Sequence, residues 1–212
     1  MRFIKPVLVP FIFCLYSSMS FSQTKKDTLL LINGKTIITT VTDIDTINAL
    51  ISFVKPQNQK KIKTIDSDCI FSITDNDGEH VIYMQDTVGN DLSELEMRQF
   101  IYGQQDARKV VKGNAGLYIN MLISLGAGIT GSFLSPVVPF LIAGALGLPG
   151  AKINEDKVAH PELIYTDAYK LGYVQEAKRK RKIRSLIGGG FGLAVGLGTS
   201  VILKANGDQI LK

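Results

Sequence analysis

The chain has 212 residues, room for one or two modest domains, with 45% hydrophobic residues, no Trp and a formal net charge of +5. Its mean hydropathy of +0.16 is high for a soluble protein. The charge is uneven: residues 24–92 carry seven basic and ten acidic side chains, residues 93–212 fifteen and nine. The dense basic part, Lys178-Arg179-Lys180-Arg181-Lys182 with Arg184, stands directly before an apolar stretch and has no aromatics between its members. That placement argues against nucleic acid as a partner and for a juxtamembrane cluster.

Residues 1–22 have the three parts of a secretory signal peptide: basic Arg2 and Lys5, an apolar middle over 7–16, and a small polar end over 17–22. Cleavage is expected before Gln23. Cys14 follows bulky Phe13, where a lipoprotein needs a small residue. Once the signal is removed only Cys69 remains, so no intrachain disulfide can form.

Residues 24–90 read as a small β domain. A strand over 29–32 is followed by the hairpin pair Asn33-Gly34 and a β-branched run over 36–42. Further strands are expected at 50–54, 62–65, 70–73 and 80–84, with turns at 43–45, 56–60 and 75–78. Five or six short antiparallel strands resemble SH3-like and Sm-like barrels in count and spacing, a likeness that carries no ligand residue.

Residues 91–212 read as a helical, membrane-associated domain, which makes the fold class α+β. Ser93 and Glu96 form a capping box at its first helix. No charge occurs between Lys112 and Lys152, a gap that holds a span at about 117–134 and a proline-broken apolar run at 137–148. Twelve residues flanked by Pro136, Pro139 and Pro149 are too few to cross alone, so a re-entrant or interfacial loop is expected there. A helix opening at Pro161 should have Tyr165, Ala168, Tyr169, Gly172 and Tyr173 along one side. A second span, 186–203, is eighteen uncharged residues between Arg184 and Lys204. As a helix it measures about 27 Å, close to the ~30 Å of bilayer hydrocarbon.

Both spans carry small residues every fourth position. In the second these are Gly188, Gly192, Gly196 and Ser200; in the first, Ser124, Gly128 and Ser132. In lipid, close approach of backbones rather than apolar burial drives helix pairing, so these seven are the expected helix-packing residues. A weaker echo sets Phe100-x-x-Gly103 and Asp106-Ala107 against Tyr169-x-x-Gly172 and Glu176-Ala177, about seventy residues apart with a one-residue gap.

Chemistry finds little support. Gly126-x-Gly128-x-x-Gly131 lacks the helix and the acidic residue of a dinucleotide site, and no Lys follows the glycines of 188–198 as a phosphate loop requires. Asp75–Glu79 has Ile73 and Met84 where a calcium loop needs oxygen ligands, and reads as a turn. His80, His160 and one Cys cannot assemble a tetrahedral zinc site from one chain without carboxylates, and no serine sits in a nucleophile elbow. No catalytic residue, cofactor or metal is expected.

With its signal peptide, small β domain and the motif Gly188/Gly192/Gly196, the chain resembles bacterial envelope proteins with glycine-zipper spans. That resemblance implies no particular activity. The expected function is a non-enzymatic, membrane-anchored scaffold with membrane lipid, an envelope protein and further copies of itself as partners. Two alternatives are an oligomeric pore lined by Asn120, Ser124, Thr130 and Ser132, and a soluble periplasmic binding protein. The charge rule predicts an inner-membrane protein with the β domain in the periplasm and 152–184 in the cytoplasm; outer-membrane association is the other possibility.

Overall fold

A computed structural model describes residues 26–56, 58–86 and 91–210, so the expected signal peptide and Cys14 lie outside the described residues. The fold is α+β, two small antiparallel sheets followed by a helical region. The strands are β1 (Asp27–Leu31), β2 (Thr36–Thr39), β3 (Val41–Asp45), β4 (Leu50–Lys55), β5 (Asn58–Asp66), β6 (Ile70–Thr74) and β7 (Glu79–Val81).

Barrel closure is not seen: β2–β1–β6–β7 and β3–β4–β5 are separate sheets. The reason lies at Thr40, where the β-branched run expected as one strand breaks in two. The Thr40 carbonyl accepts from Val54 N–H at 3.0 Å, and the Asp27 carboxylate accepts from Val41 N–H at 2.8 Å. The Thr39 hydroxyl bonds the Val54 carbonyl as well. These contacts hold a corner at which the chain leaves one sheet and enters the other. Leu29, Leu31, Ile51, Phe53, Ile70 and Ile73 fill the core shared by both sheets.

The other face of the four-stranded sheet receives helix α1 (Glu94–Val110). Ser93 and Glu96 cap it reciprocally, as their spacing predicts. Phe71 and Tyr83 pack there on Met97, Phe100 and Ile101. Strand β6 is therefore buried on both sides, and its sequence Ile-Phe-Ser-Ile shows no alternation.

Helix α2 (Asn114–Thr130) starts after Gly113, at φ +68°, and stops at Gly131, at φ +61°. Both are left-handed positions that glycine adopts without a Cβ penalty. The span expected over 117–134 thus ends four residues early. A turn over 131–137 leads into α3 (Val138–Gly147), and after an irregular segment α4 (Asp167–Ile210) runs unbroken for 44 residues. Of the described helices, only α4 is long and apolar enough to cross a membrane.

Contacts climb the helices in step: Phe100 meets Gly172, Gly113 meets Arg181, Gly116 meets Ser185 and Gly128 meets Gly196. Helices α1 and α2 therefore run parallel to α4. Helix α3 runs the opposite way, from Pro139 beside Asn120 to Gly147 beside Lys182. Residues 131–149, where the sequence predicts a re-entrant or interfacial loop, form a return path that contains α3 and is braced against both other helices. The β sheets, the segment 148–166 and the basic cluster consequently share one end of the molecule, and 131–135 and Lys204 share the other.

Candidate functional site

The apolar end is built from backbone contact between α2 and α4. A Cβ placed on Gly188 would overlap the carbonyl oxygen of Leu117; on Gly192, that of Met121; on Gly196, that of Leu125. In return, a Cβ on Gly128 would lie 2.9 Å from both the Leu193 carbonyl oxygen and Gly196 Cα. The same reciprocity recurs below, where Gly103 sits on the Tyr169 carbonyl and Gly172 on the Phe100 carbonyl. The sequence echo is thus a spatial one: each x-x-x-Gly unit seats its glycine on the first residue of the other. Side chains in these slots would force the helices apart, because the atoms met are backbone.

Asn120 and Ser124 occupy two further slots of the α2 stripe. Asn120 is fully buried and donates to the carbonyls of Pro139 and Ser185, each at 2.9 Å, and to Ser185 Oγ at 2.9 Å. Its own Oδ1 accepts from Ser124 Oγ at 3.0 Å. One amide therefore joins α2, α3 and α4. Buried without partners it would cost several kcal/mol, about 2–7 depending on the reference, so its satisfaction specifies the arrangement.

Large apolar side chains point the other way. Leu122 is 71% exposed, Phe140 66%, Leu141 66%, Phe191 65% and Val201 67%. The most apolar window of α4 is only 28% buried within the fold. A soluble core inverts this distribution, with large apolar groups inside and polar groups outside. Here the buried positions are mostly glycine and serine, with Asn120, Pro139 and Ala143 among them, and large apolar side chains form a band on the outside.

Toward the β sheets lie the basic residues of the helical region, termed the collar: Lys178 and Lys182 on α4, and Lys109 and Lys112 at the α1–α2 junction. Glu176, 4% exposed, is committed to Arg108 at 3.0 Å and Arg179 at 2.7 Å. Burial pushes the Glu176 carboxyl up, but hydrogen bonds from Arg179 and Arg108 outweigh it and hold the group below its ordinary range. Lys180 reaches the Arg108 carbonyl, and burial followed by the neighbouring Arg184 charge lowers its ammonium. Buried Asp106, the echo of Glu176, accepts from Tyr169 Oη at 2.9 Å and from Ala159 and His160 N–H at 3.1 and 3.2 Å. It ties the returning segment onto α1 and α4.

Of the seven expected packing residues, Gly188, Gly192, Gly196 and Gly128 face the α2–α4 contact, Ser124 is buried on α2 against Asn120, and Ser200 is 6% exposed near the end of the contact. Ser132 does not join them. It is exposed in the turn after α2, where its hydroxyl accepts from Leu134 N–H. Ser135 fills the equivalent space instead, donating to the Ala127 carbonyl at 2.6 Å. Of the four groups expected to line a pore between copies, Asn120 and Ser124 are buried within the chain, Thr130 bonds the Ala127 carbonyl of its own helix, and Ser132 lies in the turn. Sequence reasoning missed Ser185 and misassigned Asn120. The four-residue spacing of Asn120, Ser124 and Gly128 was the available signal. Asp75 receives Asp77 and Gly78 N–H in a tight turn, and because α4 opens at Asp167 rather than Pro161, Tyr165 precedes the helix instead of lining it. Among the described residues no cluster of His, Cys, Asp and Glu could hold a metal ion. No protein-family model, curated protein or solved structure matches the chain.

Proposed function

We propose that this chain is a non-enzymatic, membrane-anchored protein of the cell envelope, whose α2–α3–α4 end sits in lipid and whose β sheets serve as a docking module at the membrane surface. The observation that carries the reading is the inverted end of the fold, with small and polar groups inside and large apolar groups outside. Hydrocarbon is the solvent that such a surface matches, and backbone contact is what holds helices together in it. The pore alternative loses support because its candidate polar groups are satisfied within one chain. The soluble alternative would leave the whole apolar band in water.

A cleaved signal over 1–22 would deliver the β sheets to the periplasmic side. With α2 parallel to α4, the basic collar goes to that same side, against the positive-inside rule that suggested the opposite arrangement. We retain the exported orientation, in which the collar faces the headgroups of the leaflet beneath the β sheets. Alkaline carbonate extraction tests the anchor. The processed chain should stay in the membrane pellet; its release without detergent would end the membrane reading.

A further inference from the structure

We propose that the cavity at the foot of α2 binds the headgroup of an anionic phospholipid, with the acyl chains lying along the apolar band above it. The inference rests on the membrane reading and deepens it. The cavity measures about 400 Å³ and opens between the α1–α2 junction, the last turn of α3 and α4. Val111, Ile119, Leu146 and Pro149 give it apolar walls, and Arg181 supplies its cation.

Three features fit this occupant. Arg181 rests on the carbonyl oxygens of Pro149 and Gly150, both at 3.3 Å, and meets no carboxylate among the described residues. Its charge is thus positioned but not neutralised. Arg184 is likewise held by a neutral partner, Asn114 Oδ1 at 2.8 Å. Second, no acidic residue occurs from 107 to 154 or from 177 to 207, the two stretches that build this region. Glu176, which borders the second stretch, is committed to Arg108 and Arg179. Third, Ile119, 45% exposed, continues into Leu122, 71% exposed, so the cavity is open toward the band. A phospholipid carries both complements in one molecule: a phosphate for a guanidinium and chains for the apolar wall. A zwitterionic lipid offers the same phosphate with a cation that the uncompensated Arg181 repels, so selectivity for net-negative headgroups follows.

The test is electron spin resonance of the full chain in phosphatidylcholine vesicles containing spin-labelled phosphatidylglycerol or spin-labelled phosphatidylcholine. The motionally restricted fraction should favour phosphatidylglycerol about fivefold, the scale expected of one cation at an anionic lipid surface. Arg181→Gln should bring the ratio near unity. Ala115→Phe, at an exposed position in the cavity wall, should do the same while keeping every charge. Lys204→Gln, at the other end, should leave the ratio unchanged. A restricted fraction with no headgroup preference overturns the lipid site and leaves the anchor standing; no restricted fraction for either lipid overturns the anchor itself. Loss of the preference on adding millimolar inorganic phosphate would assign the cavity to a soluble anion instead.

Discussion

Asn120 and the glycines facing it show what a single atom decides at this end of the fold. Gly190 and Gly192 belong to the same helix two residues apart, yet a Cβ on Gly190 meets nothing within 4 Å whereas one on Gly192 overlaps the Met121 carbonyl. Gly192→Leu should therefore separate α2 from α4 and lower stability by at least the ~1–3 kcal/mol typical of overpacking. Gly190→Leu should be neutral within about 0.5 kcal/mol. Reversible unfolding in mixed detergent micelles reads both. Equal loss in the two variants would mean that glycine content, not the α2–α4 contact, is what matters. The period of four that marks these glycines was legible in the chain. Which face of Asn120 mattered was not, because a polar residue in an apolar run can equally line a water path or satisfy itself on neighbouring backbone.

At the scale of elements, the β sheets and the helices are joined by α1. Glu79 on β7 accepts from Ser72 Oγ at 2.6 Å and from Arg98 on α1 at 3.0 and 3.1 Å, and the Arg98 guanidinium lies 4.8 Å from the centre of the Phe71 ring. The Ser72 hydroxyl foremost, with Arg98 and against burial, holds the Glu79 carboxyl below its ordinary value of 4.5. A carboxyl depressed in the fold stabilises it above that ordinary value, and the contribution fades as pH falls through the lower, folded value. Glu79→Gln should cost about 1 kcal/mol at neutral pH, a modest figure because the pair is part-exposed. The deficit against the parent should vanish on acidification below the folded value. A pH-independent deficit in denaturant titrations followed by tyrosine circular dichroism would show that shape, not charge, docks α1. None of this joint could be read from the chain, since Ser72, Glu79 and Arg98 meet only once the sheet has formed. The sheet itself was half legible. Strand positions follow from β-branched runs and turn residues, but the corner at Thr40 lies in a stretch of uniform β propensity and leaves no mark in it.

For the molecule as a whole, the decisive finding is direction. Small-residue periodicity says that two helices touch and is silent on whether they run parallel. Parallel packing of α2 and α4 requires a return path, and 131–149 supplies one by bracing a ten-residue helix against both neighbours. That single fact places the basic cluster at the same end of the molecule as the β sheets. On the proposed membrane reading, the folded domain, the cations and the apolar end then lie in series along one axis.

The central claim, that hydrocarbon covers the outward faces of these helices, is met most directly by cysteine reactivity in sealed vesicles. Single cysteines replace Phe191, Leu141 and Lys178 in a Cys69→Ser background, and the parent supplies exposed Cys69. Positions 191 and 141 are 65% and 66% exposed, so none of the described residues covers them. They should nonetheless refuse a water-soluble maleimide, because a thiol in lipid neither ionises nor meets the reagent, while Cys69 and Lys178→Cys react from one and the same side. Labelling of 191 and 141 at the rate of Cys69 would contradict the account.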